Sequence, residues 1–192
     1  WGWPMWLSLL LILLVSTSFG LFNGILVSRL KLPPFIATLG TMMISLGTGS
    51  IVSNVRSATF PARGAADSWF KGIFKYIAPN NASYPTGALV LFGTAFIAYI
   101  ILTRTKMGRY IFAVGSNKEA ARLSGVDVAK WEMMAYVISG FLAGVGGIAF
   151  AAVYTTVMPA QGQGFELYAI AGTVIGGTSL SGGAGSVLGT MI

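Results

Sequence analysis

Five long stretches of this chain carry no charged side chain: Trp1–Ser28, Leu32–Val55, Tyr76–Thr103, Met133–Phe165 and Leu167–Ile192. The hydrocarbon core of a bilayer is roughly 30 Å thick, and a helix needs about 20 apolar residues to cross it. Every stretch is long enough. An ionised side chain at the bilayer centre costs at least about 3 kcal/mol, so charge-free runs of this length are the mark of membrane-spanning helices. The expected fold is all-α: a polytopic helical membrane protein with about four spanning helices, because only helices or closed barrels satisfy their backbone in lipid.

The composition excludes most alternatives. Only 9% of residues are charged and 55% are hydrophobic, against about 25% charged in soluble domains. The net charge of +7 would suggest nucleic acid in a soluble protein, but here the positives lie in loops between apolar spans. They are better read as setting orientation, so no nucleic-acid partner is expected. The chain has no Cys and no His, which removes thiol chemistry, disulfides, imidazole bases and the usual zinc sites. Trp1–Ser28 lacks a basic start and a clear cleavage site, so it is not a signal peptide. The chain opens on Trp and stops at Thr190-Met191-Ile192 within an apolar run. It therefore reads as an internal piece of a longer protein, with all of 1–192 lying in a single transmembrane domain.

The loops orient the spans. Arg29 and Lys31 lie in the first connection and Arg56, Arg63, Lys71 and Lys75 in the second. The third holds Arg104, Lys106, Arg109, Lys118, Arg122 and Lys130. Alternation groups the first and third loops, and their excess of Lys and Arg places them in the cytoplasm. The second loop carries Trp69, Phe70 and Tyr76, which suit an outer interface. Pro33-Pro34 ends one helix and starts the next, and Pro85 does the same for the third span. Small residues four apart recur at Gly20/Gly24, Gly140/Gly144, Gly172/Gly176 and Gly185/Gly189, spacing that lets helices approach closely in lipid. Asn81-Ala82-Ser83 has the form of a glycosylation sequon, a triplet common by chance.

The cytoplasmic loop 104–131 carries the strongest local signal. Ser116-x-x-Glu119 has the form of a capping box. A short helix over Asn117–Ser124 is expected after it, ended by Gly125 in the left-handed conformation. Asp127 is placed to cap the following helix, which runs into the fourth span. A helix this short is marginal alone. Either the rest of the loop holds it, as an ordinary interfacial helix, or a partner protein does.

The last stretch is a poor continuous helix. Gly172, Gly176, Gly177, Gly182, Gly183, Gly185 and Gly189 crowd it, and glycine is costly in helix interiors. A Gly-rich broken or re-entrant segment is expected, with a second helix starting near Ser186. Tight packing is one reading of the cluster, and a gate or pathway element centred on Gly176, Gly177, Thr178 and Ser179 is the other. A phosphate-binding loop is excluded, because the cluster contains no Lys. The outer loop Tyr154–Tyr168 contains Glu166, the only charge in Met133–Ile192. It is either a solvated loop charge or a contact for a binding protein or solute. Asn23, Thr48 and Asn54 are further polar residues of the first two spans, and Thr38, Thr41, Ser45 and Thr48 share one helix face. They either bond their own backbone or line a solute pathway.

Several blocks, in order, carry a family resemblance: Leu32-Pro33-Pro34-Phe35-Ile36-Ala37-Thr38-Leu39-Gly40-Thr41, Gly108 to Val126, Tyr136-Val137-Ile138-Ser139-Gly140, Gly162-x-Gly164-x-Glu166-Leu167, and Ile175 to Ser186. Together they resemble bacterial ABC importer permeases of the ribose and simple-sugar type, in the same broad group as the branched-chain amino acid permeases. The resemblance implies a coupling loop, with Gly108, Arg109, Glu119, Ala120, Ala121, Arg122, Leu123, Ser124 and Gly125 in that role. Such a loop docks into a groove on a cytoplasmic ATP-binding subunit. The resemblance further implies a second permease copy, identical or not, a periplasmic or surface solute-binding protein, and residence in the bacterial plasma (inner) membrane. The implied activity is import of a sugar or similar small polar solute.

Two other function classes fare worse on the residues. An ion-coupled secondary transporter or channel usually places ionisable groups within its spans, and these stretches have none. An intramembrane serine enzyme built on Ser181 lacks a His base. The chain is therefore expected to be a transport subunit without enzymatic activity and without a bound cofactor or metal, ATP hydrolysis being supplied by another subunit.

Overall fold

The structure, a computed structural model, describes residues 4–60, 69–74, 76–77, 83–84, 86–154 and 156–191. Among the described residues four helices are long and apolar enough to cross a membrane: α1 (Met5–Ser28), α2 (Pro34–Val52), α4 (Thr86–Arg104) and α7 (Val128–Val153). At a rise of about 1.5 Å per residue the shorter ones still reach about 28 Å. Between and after them come α3 (Trp69–Phe74), α5 (Lys106–Ser116), α6 (Lys118–Leu123), α8 (Phe165–Ile175) and α9 (Val187–Met191). Two-residue strands β1 (Ala58–Thr59) and β4 (Thr156–Val157) pair antiparallel, as do β2 (Tyr76–Ile77) and β3 (Ser83–Tyr84). The polytopic helical fold is as expected from the charge-free stretches. Pro85, Asn81, Arg63 and Lys75 lie outside the described residues.

The core is a pair of helices. α1 and α7 make the most extensive contact in the molecule, and the small-residue spacing explains it. A Cβ added at Gly20 would lie 2.5 Å from the Tyr136 carbonyl oxygen and 3.0 Å from the Gly140 Cα. One added at Gly140 would lie 2.6 Å from the Ser16 carbonyl oxygen. Backbone therefore meets backbone at the crossing. In lipid no hydrophobic force drives helices together, so this close van der Waals packing carries the association. The Gly172/Gly176 and Gly185/Gly189 pairs behave differently. A Cβ at Gly172 would meet nothing, while Gly176 and Gly189 pack on each other's backbone.

Outside this pair the apolar surface is left open. α4 buries no residue, and Leu89, Phe92 and Phe96 stand exposed along it. In a bilayer such faces pack against lipid tails or further helices. Thr38, Ser45 and Thr48 of α2 donate to carbonyls one turn back, as do Thr94 and Thr103 of α4, so these hydroxyls are satisfied without leaving their helix.

The two ends of the bundle sort as alternation requires. The first connection, with Lys31 and Pro33, shares a cavity of about 660 Å³ with Lys118 and Arg122 of the third. At the opposite end β1 of the second connection pairs with β4, which follows α7, in the register Ala58↔Val157 and Thr59↔Thr156. Among the described residues short strands are the departure from helix, and the β1–β4 pair ties the second connection to the segment after α7. Phe70 differs from its expected place at the outer interface. It is only 1% exposed and meets Phe60 edge-on at 6.2 Å, so it is packed rather than anchored at a membrane surface.

Candidate functional site

The loop between α4 and α7, expected to be cytoplasmic, holds two helices rather than one. α5 was not expected, although its apolar Met107, Ile111 and Val114 recur at helical spacing. Thr105 caps it by accepting from the Gly108 amide at 3.3 Å. Gly108 is buried against the backbone of Leu102, the last turn of α4, where a Cβ would clash. Arg109, next along, is exposed. Tyr110 of α5 packs on Trp131 of α7 with ring centroids 5.0 Å apart.

α6 follows with a sharp boundary. The capping residue is Asn117, not Ser116: its Oδ1 accepts from the amides of Glu119 and Ala120, each at 3.0 Å. Ser116 is instead the last residue of α5. Both sequences suit a cap, but Asn117 is the residue with extended backbone (φ −156°, ψ 104°), the conformation an N-cap needs. The helix covers Lys118–Leu123, slightly shorter than expected. Gly125, at φ +79°, ends it as anticipated. The Val126 amide donates to the Ala121 carbonyl and the Gly125 amide to that of Arg122, both at 3.0 Å, which is the Schellman pattern. Asp127 then caps α7 by accepting from the Lys130 amide at 3.1 Å.

Asn117→Ala is expected to cost about 1 kcal/mol of local helix stability, whereas Ser116→Ala leaves α6 unchanged. Hydrogen exchange across 118–123, followed by mass spectrometry, distinguishes them, and equal protection in both variants would return the cap to Ser116.

The helix is held on one side and open on the other. Ala121 is buried, 5% exposed, and Lys118 forms an ion pair with Glu132 of α7 at 2.6 Å. Glu119 and Arg122 pair with each other at 2.6 Å, both well exposed, and Ser124 bonds back to the Ala120 carbonyl. Ala120 faces outward beside Leu123, which is 83% exposed. Rings of charge around one exposed leucine and one alanine make a small surface suited to a complementary groove.

The Gly-rich segment breaks where expected. α8 ends at Ile175, and Gly177 takes the left-handed conformation (φ +85°). Its amide donates to Val174 and that of Thr178 to Thr173, a second Schellman ending. A turn closed by Ser179 N–H to Ala184 and Gly182 N–H to Ser179 follows. α9 begins after Ser186, whose Oγ accepts from the Gly189 amide at 2.9 Å, and packs back against α8 and α4. The chain thus runs from the end of the bundle where Phe165 meets Phe150 to the loop between α4 and α7 and turns back. Its tip rests on the end of α5: a Cβ at Gly115 would lie 2.6 Å from the Gly183 amide nitrogen, and one at Gly183 would lie 2.5 Å from the Ser116 Cα. Sequence spacing gave no signal for this contact, because it joins residues far apart in the chain.

Glu166 is not in a loop. It lies in the first turn of α8 and accepts from the Gly164 amide at 2.9 Å. Free amides at a helix start favour a carboxylate there, and this accounts for its position. Thr38, Thr41 and Ser45 do share a face, and it lines a cavity of about 390 Å³ with residues of α1 and α7. Thr41 is the one that reaches another helix, 2.7 Å from Asn23 Oδ1.

The sequence profile described as "Branched-chain amino acid transport system / permease component" matches residues 1–192. A fructose import permease protein of Bifidobacterium longum is 35% identical, with 100% of this chain and 57% of that protein covered. A fructose import permease protein of Rhizobium meliloti is 36% identical, with 100% and 53% covered. A ribose import permease protein of Escherichia coli is 36% identical, with 94% and 55% covered. The chain spans about half the length of these relatives. No solved structure matches it.

Proposed function

Because the chain belongs to the family of branched-chain amino acid transport system permease components, we propose that it is the membrane-spanning part of an ATP-driven importer carrying a sugar or similar small polar solute across the inner membrane. The relatives' printed substrates, fructose and ribose, support the solute class, as does a set of spans with polar but no charged lining. The whole of 1–192 belongs to one permease domain. It acts with a second permease copy, a cytoplasmic ATP-binding subunit and a solute-binding protein outside. ATP is hydrolysed by the separate subunit, and this chain holds no cofactor of its own.

The observation that carries the reading is α6. It is capped at its start by Asn117 and ended by Gly125, and it presents Leu123 to solvent. A rigid, doubly terminated helix transmits displacement where a slack loop would absorb it. Glu119, Ala120, Arg122 and Leu123 form its docking face, and Ala121, Ser124 and Gly125 fix its shape. Gly108 and Arg109 belong to α5, which connects it to the membrane. Gly176, Gly177, Thr178 and Ser179 start the turn that acts as the gate, resting on α5 through Gly183. Thr38, Thr41 and Ser45 lie along the solute pathway. Glu166 stands at the outer end, where it meets the binding protein or the arriving solute.

The test uses the full-length protein expressed with its ATP-binding subunit. Replacing Glu119–Leu123 by a Gly-Ser linker is expected to abolish co-purification while the membrane part remains monodisperse in detergent. Leu123→Asp is expected to weaken it by about 100-fold, as loss of a central anchor worth roughly 2 to 3 kcal/mol does. Full retention of the complex in the linker variant would remove the coupling role from α6.

A further inference from the structure

α1, α2 and α7 each turn one face toward the shared cavity of about 390 Å³. In every helix the lining positions run i, i+3, i+4 and i+7, starting from Ser16, Thr38 and Tyr136, which is a single face at helical period. The volume falls within the roughly 300–1,000 Å³ of small-molecule sites. Apolar surface predominates in the lining, but seven of its twelve residues carry polar side chains and none is charged.

Most hydroxyls of the spans are satisfied by their own helix, but three groups here are not. Among the described residues no hydrogen bond engages the Tyr136 hydroxyl or the Ser139 hydroxyl. Asn23 is half engaged. Thr41 has one hydroxyl proton and three acceptors in reach, Asn23 Oδ1 at 2.7 Å, Thr38 O at 2.9 Å and Ala37 O at 3.1 Å. Whichever way the Asn23 amide is turned, one of its two polar ends meets Thr41 and the other is left for the cavity. Lipid tails offer these groups nothing, and unpaired polar groups are costly away from water.

An occupant with both hydroxyls and apolar C–H surface matches this lining. A charged solute would find no counter-charge, and an apolar one would leave the polar groups unserved. The Phe19 and Tyr136 rings add flat apolar surface, which suits the C–H face of a sugar ring. We propose that this cavity is a binding subsite for a neutral polyhydroxylated solute, with the Asn23 amide and the Tyr136 and Ser139 hydroxyls as its recognising groups. The proposal rests on the importer reading and adds to it the residues that choose among solutes. A site that hydrogen-bonds a solute hydroxyl rejects analogues that place it elsewhere, so these residues set the preference between sugars.

The experiment uses the full-length importer with its ATP-binding subunit and binding protein in lipid vesicles. ATP-dependent uptake of radiolabelled ribose, fructose and galactose is measured for the unaltered protein, Tyr136→Phe and Ser139→Ala. Both substitutions remove a hydroxyl that has no partner within the protein, so folding and subunit assembly survive them. Loss of a neutral hydrogen bond corresponds to about a tenfold effect. The expected result is a fall of about that size for the preferred sugar and a smaller fall for the others, which changes the order or ratio of uptake. An unchanged ratio in both variants, with the ATP-binding subunit still attached, would overturn the subsite and leave the importer intact. Failure of the unaltered, assembled complex to take up any of the sugars would instead overturn the importer reading, and the subsite with it.

Discussion

Replacing Gly140 by leucine is expected to separate α1 from α7 and to leave little folded protein in the membrane. The reason is geometric. Any Cβ at this position would lie 2.6 Å from the Ser16 carbonyl oxygen and 2.8 Å from the Gly20 Cα. Neither neighbour is a side chain that can swing aside. Overpacking that side chains can absorb costs about 1 to 3 kcal/mol, and here the helices themselves must move apart. That movement breaks the most extensive contact in the chain and removes the packing of Gly24 on Met133 and of Gly144 on Ser16. Gly20→Val should behave in the same way, for a Cβ there would meet the Tyr136 carbonyl oxygen. Gly147→Ala is the control. It lies in the same helix, a Cβ would meet nothing within 4 Å, and removing a helix-interior glycine is worth about 0.5 to 1 kcal/mol in favour of the helix. The check is the yield of monodisperse protein in mild detergent and its thermal unfolding midpoint. Gly140→Leu and Gly147→Ala giving equal yields and midpoints would show that the crossing does not hold the fold.

The small-residue spacing that permits such a crossing was legible in the sequence, though not which helices meet, and the spans were legible as absence of charge. Both signals are local, or repeat within one helix. The left-handed end of α6 at Gly125, the cap at Asp127 and the break in the last segment were also readable, since each depends on a residue and its near neighbours. Three features were harder to see. Asn117 and Ser116 are equally good capping residues, and only the continuation of α5 through Ser116 decides between them. Glu166 looked like a loop charge because Gly162 and Gly164 precede it, yet Gly164 at φ +92° is the N-cap from which α8 starts. The polar face of α2 was visible, but Tyr136 and Ser139 on α7 were not seen as its partners. Helix periodicity shows which residues share a face and is silent on which faces meet.

The contact between Gly115 and Gly183 belongs to this last class, and it carries the strongest functional expectation. Gly183→Ala should stop transport while the ATP-binding subunit still binds. The substitution acts twice. Gly183 has φ +75°, and an L-residue in that conformation costs about 1 to 2 kcal/mol. Its Cβ would also lie 2.5 Å from the Ser116 Cα, so the turn and the end of α5 cannot keep their separation. α6 begins two residues after Ser116 and is fixed by its own cap and by the Lys118–Glu132 pair. The face proposed to dock the ATP-binding subunit is therefore preserved and the link behind it is lost. Uptake into vesicles should fall by at least about tenfold, the equivalent of about 1.4 kcal/mol, with co-purification of the ATP-binding subunit at the level of the unaltered protein. Gly115→Ala approaches the same contact from the other side, meeting the Gly183 amide nitrogen at 2.6 Å, and should give the same separation of docking from transport. Gly172→Ala, where a Cβ would meet nothing, should transport normally. If both substitutions at the contact transported as well as Gly172→Ala, the turn would be no gate coupled to α5, and displacement of α6 would have to reach the pathway through α7 instead.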